Sequence, residues 1–206
     1  MAKRDTPQKI VTGAQASGID TLLSATKAAT RGGGLPPVHL WNPPFCGDID
    51  MEIRRDGTWF YEGTPIGRPA LVRLFSTILK KEDGRHFLVT PIEKVGIRVE
   101  DAPFVAQDFE VTGEGSGPGQ VVTFTTNVGD KVAAGPDDPI RVVRDASGEP
   151  SPYVHVRAGL EALIDRKSFY RLVDLGEAHA VNGEDWFGVW SGGAFFPIIP
   201  VRDLDG

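Results

Sequence analysis

Two arginines stand where the sequence pattern predicts the start of a helix. Arg68 precedes Pro69, and proline is favoured in the first helical turn, while Arg157 precedes a second predicted helix. A helix N-terminus carries partial positive charge, so a cation there is disfavoured by a few tenths of a kcal/mol up to about 1 kcal/mol. An anionic ligand shared by the guanidinium and the free helix N–H groups would offset that cost. A carboxylate partner, such as Glu62 or Asp56, is the alternative.

We predict that both arginines belong to one anion-binding cleft. A guanidinium is a planar fork that matches phosphate, so two of them at one interface would hold a single polyanion. The aromatic residues assigned to this cleft have a competing interpretation as core residues and cross-strand pairs. The predicted ligand-binding residues are Arg68, Arg157, Trp59, Tyr61, Lys94 and Tyr153.

The motifs of common catalytic and cofactor sites are incomplete in this sequence. Gly113 and Gly115 begin a dinucleotide-binding pattern, but Pro118 replaces its third glycine and a strand follows. Val189 stands where a nucleophile elbow around Ser191 requires glycine. The four histidines lack metal-ligand spacing. The sequence therefore predicts no cofactor and no metal site, and it assigns no catalytic residue.

A row of acidic residues leaves a metal-assisted hydrolase open as an alternative. Asp48, Asp50 and Glu52 alternate along a predicted strand and would line one of its faces. Together with Glu93 they offer the oxygen ligands that hard cations prefer. A charged face that protects a sheet edge is the competing interpretation.

Short strands are the main elements expected to position these residues, because the chain contains 25 Gly and 16 Pro. Asp56 and Gly57 predict a two-residue turn between strands over 49–53 and 59–61. Apolar spacing predicts a helix over 69–79, followed by a strand over 87–89. The remaining predicted elements are strands over 96–99, 104–111, 121–126, 140–144, 153–156 and 170–175, a helix over 158–167 and an aromatic hairpin over 186–199.

The predicted elements also suggest an internal repeat. A shift of 89 residues brings Arg68 onto Arg157, with five identities over the 23 positions from Ile53 to Phe75. A loop shorter by five residues then aligns the last strands, so that 49–90 corresponds to 138–175. Five identities alone could arise by chance. The order of elements agrees as well, so we infer a duplicated β-β-α-β unit.

Composition limits the classes of partner and compartment. A length of 206 residues allows one large or two small domains. The net charge of −6 opposes broad binding to nucleic acid or anionic membranes. The single cysteine, Cys46, excludes an intramolecular disulfide framework, and neither a transmembrane run nor a signal-peptide pattern is found. We expect a cytoplasmic protein, and no partner protein is indicated.

A series of short motifs over about 38–196 resembles one bacterial family of uncharacterised proteins, domain-of-unknown-function family 1285. Each motif is weak singly, and their order and number make the resemblance specific. In chain order they are Trp41-Asn-Pro-Pro, Cys46-Gly-Asp-Ile-Asp50, Asp56-Gly-Thr-Trp59, Thr64-Pro-Ile-x-Arg68, Leu74-Phe-Ser, Val89-Thr-Pro-x-Glu-Lys94, Asp101-Ala-Pro-Phe104, Thr126-Asn127 and Tyr153-Val-x-Val-Arg157.

The resemblance implies an α+β, β-rich protein of two domains with an internal duplication. It also implies a C-terminal part superficially similar to a pleckstrin-homology-like barrel, and a cleft that takes a nucleotide-like ligand in signal transduction. We predict a small α+β domain over 34–91 and a larger pleckstrin-homology-like β domain over 92–206. Residues 1–33 lie outside the resemblance and are predicted to be a flexible or weakly helical extension. A cut in the 113–119 loop is the alternative boundary.

The leading functional hypothesis is a cytoplasmic protein that binds a small anionic, nucleotide-like ligand between its domains and acts as a sensor. A metal-assisted hydrolase is one alternative. The other is a protein-interaction module that uses its sheet edges or its aromatic hairpin and binds no small ligand.

Overall fold

A computed structural model describes residues 19–30, 34–113 and 117–204 of the chain. Within these ranges the α-helices are α1 (Ile19–Ala29), α2 (Pro69–Ser76) and α3 (Arg166–Val173). Helix α1 occupies part of the predicted N-terminal extension, and the rest of that extension, 1–18 and 31–33, lies outside the described residues. Residues 114–116, in the middle of the predicted 113–119 loop, also lie outside the described residues. No described helix is long and apolar enough to cross a bilayer.

The first sheet contains six strands from the N-terminal half. Its order is β3-β2-β1-β6-β5-β4, in which β1 and β6 are parallel and the other neighbours are antiparallel. Helix α2 connects β3 to β4. The strands are β1 (Phe45–Ile53), β2 (Trp59–Tyr61), β3 (Thr64–Pro65), β4 (Leu79–Glu82), β5 (Arg85–Val89) and β6 (Lys94–Val99).

The second sheet also contains six strands, in the order β10-β11-β12-β7-β8-β9. Its first and last strands, β7 and β12, are again the parallel pair. The strands are β7 (Phe104–Thr112), β8 (Val121–Thr126), β9 (Lys131–Ala133), β10 (Ile140–Arg144), β11 (Pro150–Arg157) and β12 (Leu160–Ile164). Helix α3 then leads into a three-stranded sheet of β13 (Glu177–Val181), β14 (Glu184–Ser191) and β15 (Ala194–Pro200). The prediction of a β-rich chain with two domains is confirmed.

One hydrophobic core joins the two six-stranded sheets. The largest fully buried side chains come from both sheets and from all three helices: Trp59, Phe75, Phe104, Phe124, Leu22, Met51, Ile53, Ile78, Leu88, Leu160, Ile164 and Leu172. A smaller cluster covers the opposite face of the first sheet, where Val38 and Trp41 pack against Phe87 and Val89. The segment before β1 is thereby held against the sheet.

The hairpin predicted around Asp56 and Gly57 is present, but its loop is longer than predicted. The Gly57 N–H donates to the Arg54 carbonyl at 2.9 Å, and the Arg54 N–H donates to the Thr58 carbonyl at 3.0 Å. Gly57 has a φ of +81°. These contacts define a tight turn followed by one left-handed residue, so the loop contains three residues, 55–57, and not two.

The predicted helix over 69–79 is wrong beyond Ser76, where α2 ends. The residues after it form β4, which pairs with β5 through a tight turn at Asp83 and Gly84. Both turn residues have positive φ, 48° and 78°, as a two-residue hairpin of this type requires. The apolar residues Ile78 and Leu79 continue the helical spacing by coincidence, because Ile78 is buried in the turn after α2 and Leu79 is buried as the first residue of β4.

The helix predicted over 158–167 and the strand predicted over 170–175 are both wrong. Residues 160–164 form β12, with alternating burial, and residues 166–173 form α3. The chain turns back at Ala158 and Gly159, so Arg157 and Leu160 face each other in β11 and β12. Arg157 therefore ends a strand and does not start a helix.

The observed strands and helices also bear on the predicted internal repeat and on the predicted domain boundary. The 89-residue register places Arg68, at the start of α2, on Arg157, at the end of a strand, so this register is wrong. The boundary near Pro91 would remove β6 from the first sheet, although β6 lies between β1 and β5. A cut between Val99 and Phe104 keeps each sheet whole.

Candidate functional site

A pocket of about 370 Å³ lies where the two sheets and the segment before β1 meet. The first sheet contributes β4 and the residues before it, and the second sheet contributes the β11–β12 turn. We call it the basic pocket, because four of its lining residues are basic. It is lined by Leu35, Pro36, Pro37, Val38, His39, Thr77, Leu79, Lys80, Lys81, Arg157, Ala158 and Leu160.

Arg157 is a half-buried part of the pocket wall, with fixed partners. Its guanidinium forms an ion pair with Asp130 and donates to the Ser76 carbonyl at 2.9 Å. It also lies over the Phe104 ring, 4.8 Å from the centroid. Because Ser76 ends α2 of the first domain, this arginine joins the two domains.

The lysines of β4 differ in how they are paired. Lys80 Nζ lies 2.8 Å from the Glu82 carboxylate and donates to the Trp41 carbonyl at 3.2 Å. Lys94 Nζ lies 2.8 Å from the same carboxylate. Hydrogen bonds from Lys80 and Lys94 hold the pKa of Glu82 below its ordinary value. Lys81 is exposed and forms no ion pair with any residue that the structure describes.

The charge of Lys81 acts on its cross-strand neighbour, His86. Burial, and then the positive charge of Lys81, lower the pKa of His86 to about 4. His86 is therefore neutral at pH 7. The positive charge at this part of β4 belongs to the lysines, and the ammonium of Lys81 forms no ion pair with a carboxylate among the described residues.

Arg68, the other arginine of the predicted cleft, lies elsewhere. It is the exposed N-cap residue of α2, and its side chain makes no capping hydrogen bond. Its guanidinium has no ion-pair partner among the residues described. It does not line the basic pocket.

The remaining predicted ligand residues are dispersed. Trp59 is fully buried in the core, and Tyr61 packs partly buried against it. Tyr153 donates to Asp101 Oδ1 at 2.8 Å, and burial followed by this hydrogen bond raises the pKa of Tyr153. Lys94 is held by Glu82. Of the six predicted residues, the structure brings only Arg157 to the basic pocket.

Sequence reasoning missed His39, Lys80 and Lys81. The lysines were assigned to the end of a helix, where a cation is favourable and needs no functional explanation. The Asp83-Gly84 pair two residues after Lys81 was the available signal, since it predicts a hairpin that turns the lysines into strand residues. His39 carried no comparable signal, because its place depends on how the segment before β1 packs.

A second pocket, of about 250 Å³, lies near the start of α3. It adjoins a more open cleft of about 470 Å³ that shares Arg55, Leu163, Asp165 and Arg166 with it. Arg55 is engaged by Asp101, at 3.3 Å, and by Ser151, at 2.9 Å. Since acidic and basic side chains both line this pocket, it suits an anion less well than the basic pocket does.

The acidic row on β1 is compensated by arginines. Asp48 lies 2.8 Å from Arg85, and Arg98 lies 3.0 Å from Asp50 and 3.6 Å from Glu52. The part of the chain that the structure describes holds no group of three or more His, Cys, Asp or Glu side chains placed to bind a metal ion. The geometry favours the charged-face interpretation of this row.

The fold and this site define a two-domain α+β protein with a basic pocket where its domains meet. The chain belongs to the DUF1285 family. The N-terminal "Domain of unknown function (DUF1285)" matches residues 36–102, and the C-terminal domain of the "Protein of unknown function (DUF1285)" matches residues 103–198. The resemblance seen in the motifs is thereby confirmed.

Two solved structures are similar to this chain. A DUF1285 family protein from Silicibacter pomeroyi DSS-3 has 64% identity, with 90% of this chain and 98% of that chain covered and a TM-score of 0.80. A DUF1285 family protein from Shewanella baltica OS155 has 28% identity, with 61% and 91% covered and a TM-score of 0.48. No curated protein matches the chain.

Proposed function

We propose that this chain binds a small, nucleotide-like organic anion in the basic pocket. The observation that carries the proposal is the composition of the lining. His39, Lys80, Lys81 and Arg157 combine there with apolar side chains, and none of the described lining residues is acidic. Such a lining offers contacts to both the charged and the flat part of a nucleotide.

The paired and unpaired cations would have different roles. Lys80 and Arg157 already have carboxylate partners, Glu82 and Asp130, so they shape the pocket wall and its field. Lys81 would contact the anionic group directly, because its ammonium is exposed and unpaired in the described chain. The volume of about 370 Å³ lies near the lower end of ligand pockets, which favours a small ligand.

The test is thermal unfolding with adenosine monophosphate, inorganic pyrophosphate and, as the uncharged comparison, adenosine. A ligand at 100 times its dissociation constant adds about 2.7 kcal/mol to stability, so binding raises Tm visibly. We expect the two anions to raise Tm in the wild type, and Lys81→Ala to remove most of that increase. Lys131→Ala, at an exposed lysine of β9, is the matched control. Millimolar anions that leave the wild-type Tm unchanged contradict the proposal.

We propose a role in cytoplasmic signal transduction for the same pocket. Arg157 connects its wall to Asp130 and to the end of α2. A ligand that binds better to one arrangement of this wall than to another would shift how the domains are joined. A sensor requires this kind of link between a pocket and a domain contact.

We also propose that the two six-stranded sheets derive from a duplication in a different register. Numbered from its own first strand, each sheet has the order 3-2-1-6-5-4, with strands 1 and 6 parallel. We also propose that the second domain is superficially similar to a pleckstrin-homology-like barrel. Superposing β1–β6 on β7–β12 tests the duplication. Equivalent strands that overlap with their core-facing sides on the same side of the sheet support the duplication, and core-facing sides on opposite sides of the sheet overturn it.

A protein-interaction module is the second candidate function. Three large apolar side chains, Leu40, Phe45 and Ile92, are 71%, 49% and 66% exposed. Phe45 pairs with Lys94 where β1 and β6 begin, so at least two of them lie near one end of the first sheet. Thermal unfolding that responds to none of the anions would favour this candidate.

A further inference from the structure

His155 lies on β11, two residues before Arg157, and both of its ring nitrogens are occupied. Nδ1 lies 2.7 Å from Asp138 Oδ1. Nε2 accepts a hydrogen bond from the Gly159 N–H at 3.0 Å. The side chain therefore joins the loop before β10 to the turn after β11.

These two contacts define the protonation state of the imidazole. A carboxylate can only accept a hydrogen bond, so the proton lies on Nδ1 and is donated to Asp138. Nε2 must keep its lone pair to accept from Gly159. The contacts therefore require the neutral ring with its proton on Nδ1.

The turn that His155 holds forms one wall of the basic pocket. Ala158 and Gly159 are its two central residues, with φ values of 47° and 75°. Alanine rarely adopts this left-handed conformation, so the turn benefits from a contact that restrains it. Arg157, Ala158 and Leu160 all line the pocket.

We propose that His155 is a positioning residue for the basic pocket. Its neutral imidazole ties Gly159 to Asp138 and so places Arg157 and Ala158 in the pocket wall. The effect on ligand binding rests on the proposed function, whereas the two hydrogen bonds of His155, to Asp138 and from Gly159, do not.

Protonation of His155 breaks this tie on one side only. The second proton goes to Nε2, which then presents an N–H to the N–H of Gly159, and that hydrogen bond is lost. The contact with Asp138 persists as an ion pair. Protonation of the ring is therefore expected to loosen the pocket wall.

The charges around His155 come from the loop before β10 and from β4, β10 and β12. Asp138 lies before β10, and Glu161 faces His155 directly on β12. Glu161 is paired with Arg141 of β10 and also feels the charge of Lys81 on β4. The surroundings of His155 therefore hold two carboxylates and two cations.

The experiment follows the Gly159 amide of the full chain by NMR between pH 8 and pH 5, together with the His155 ring C–H resonances and without ligand. We expect the Gly159 amide shift to change with the same midpoint as the His155 ring. Exchange of this amide, corrected for the intrinsic pH dependence, should become about fivefold faster, the factor for one net hydrogen bond.

His155→Gln is the informative variant, because its amide can donate to Asp138, accept from Gly159 and does not titrate. We expect it to keep the Gly159 amide protected across the whole range, whereas His155→Ala loses protection at every pH. His179→Gln, at an exposed histidine of β13, is the control and should leave the wild-type titration unchanged.

The same samples are then tested with inorganic pyrophosphate. The wild-type increase in Tm should shrink between pH 8 and pH 5.5, and that of His155→Gln should shrink less. A Gly159 amide that ignores the titration of His155 overturns the inference, whatever binds. A Gly159 amide that follows His155 while pyrophosphate has no effect at any pH supports the positioning role and counts against the proposed function.

Discussion

Arg68 and Arg157 lie in opposite environments at the edges of their domains. Arg68 is exposed at the start of α2 and has no ion-pair partner among the described residues. The Arg157 side chain is 20% exposed and is held by Asp130 and by the Ser76 carbonyl. The comparison teaches that burial and fixed partners decide how much an arginine contributes to stability. Removing an exposed arginine without partners costs the fold little, whereas removing a buried, paired one leaves its partners unsatisfied.

Helices α2 and α3 differ in how their first turns are capped. α2 and α3 each have eight residues. The N-cap of α3 is Asp165, whose carboxylate accepts from the Ser168 N–H at 2.7 Å. The N-cap of α2 is Arg68, which makes no such bond. Of these two helices, α3 alone therefore begins with a side chain that satisfies a free helix N–H group.

Arg157→Ala should produce the largest effect. It leaves the Asp130 carboxylate and the Ser76 carbonyl without their shared donor. We expect the free energy of unfolding in urea to fall by about 2–3 kcal/mol, as for a partly buried charged hydrogen bond. Arg202→Ala, at an exposed ion pair with Glu184, is the control and should change little. A loss below about 0.5 kcal/mol would place Arg157 with the surface arginines.

Substitutions at the N-cap residues of α2 and α3 should give the next largest effects on stability, with opposite signs. Asp165→Ala is expected to lower the free energy of unfolding by about 1 kcal/mol, because it removes the cap of α3. Arg68→Asp should raise it by up to about 1 kcal/mol, because it adds a cap to α2 and removes a disfavoured cation. Urea unfolding measures both. Equal effects of the same sign would show that cap chemistry does not distinguish the two helices.

Glu82 provides an acid-dependent test of pairing. Its pKa is lowered in the folded chain by hydrogen bonds from Lys80 and Lys94. The ionised carboxylate therefore stabilises the fold above the ordinary pKa of 4.5, and this contribution is lost as the pH falls through the lowered value. Glu82→Gln should be less stable than the wild type at pH 7, and the difference should shrink by pH 3. A constant difference, measured by urea unfolding across this range, would mean that the charge of Glu82 is irrelevant.

Arg68→Ala should have the smallest effect. We expect a change within about 0.5 kcal/mol, with a tendency to stabilise because a cation leaves the N-terminus of α2. Unfolding in urea at low and at high salt separates this electrostatic part. A destabilisation comparable with that of Arg157→Ala would reveal a partner for Arg68 and cancel the contrast between the two arginines.

Much of the fold could be predicted where turn chemistry and alternation agreed. The hairpin around Gly57 and the aromatic hairpin of β14 and β15 follow from short alternating runs next to glycine turns. The overlong helix over 69–79 and the wrong helix over 158–167 have one cause. In 69–79 and 158–167 the apolar spacing fits a helix, while the turns at Gly84 and Gly159 allow strands, and pairing in a sheet decided the outcome.

Less of the site could be predicted, and the reason is geometric. Arg157 was identified through a helix start that does not exist, although it does line the basic pocket. Trp59 and Tyr153 were assigned as ligand residues because aromatic type alone does not reveal burial or a partner such as Asp101. Residue type predicts which contacts a side chain can make, but not which neighbours reach it.

The sequence by itself determined the family, the β-rich composition and the tight turns, because these depend on residues that are neighbours in the chain. Tertiary structure alone decided which residues line the basic pocket. His39, Lys81 and Arg157 are brought together by strand pairing and by the packing of the segment before β1, over separations of 42 and 76 residues. Such contacts depend on the whole buried core, and no local pattern encodes them.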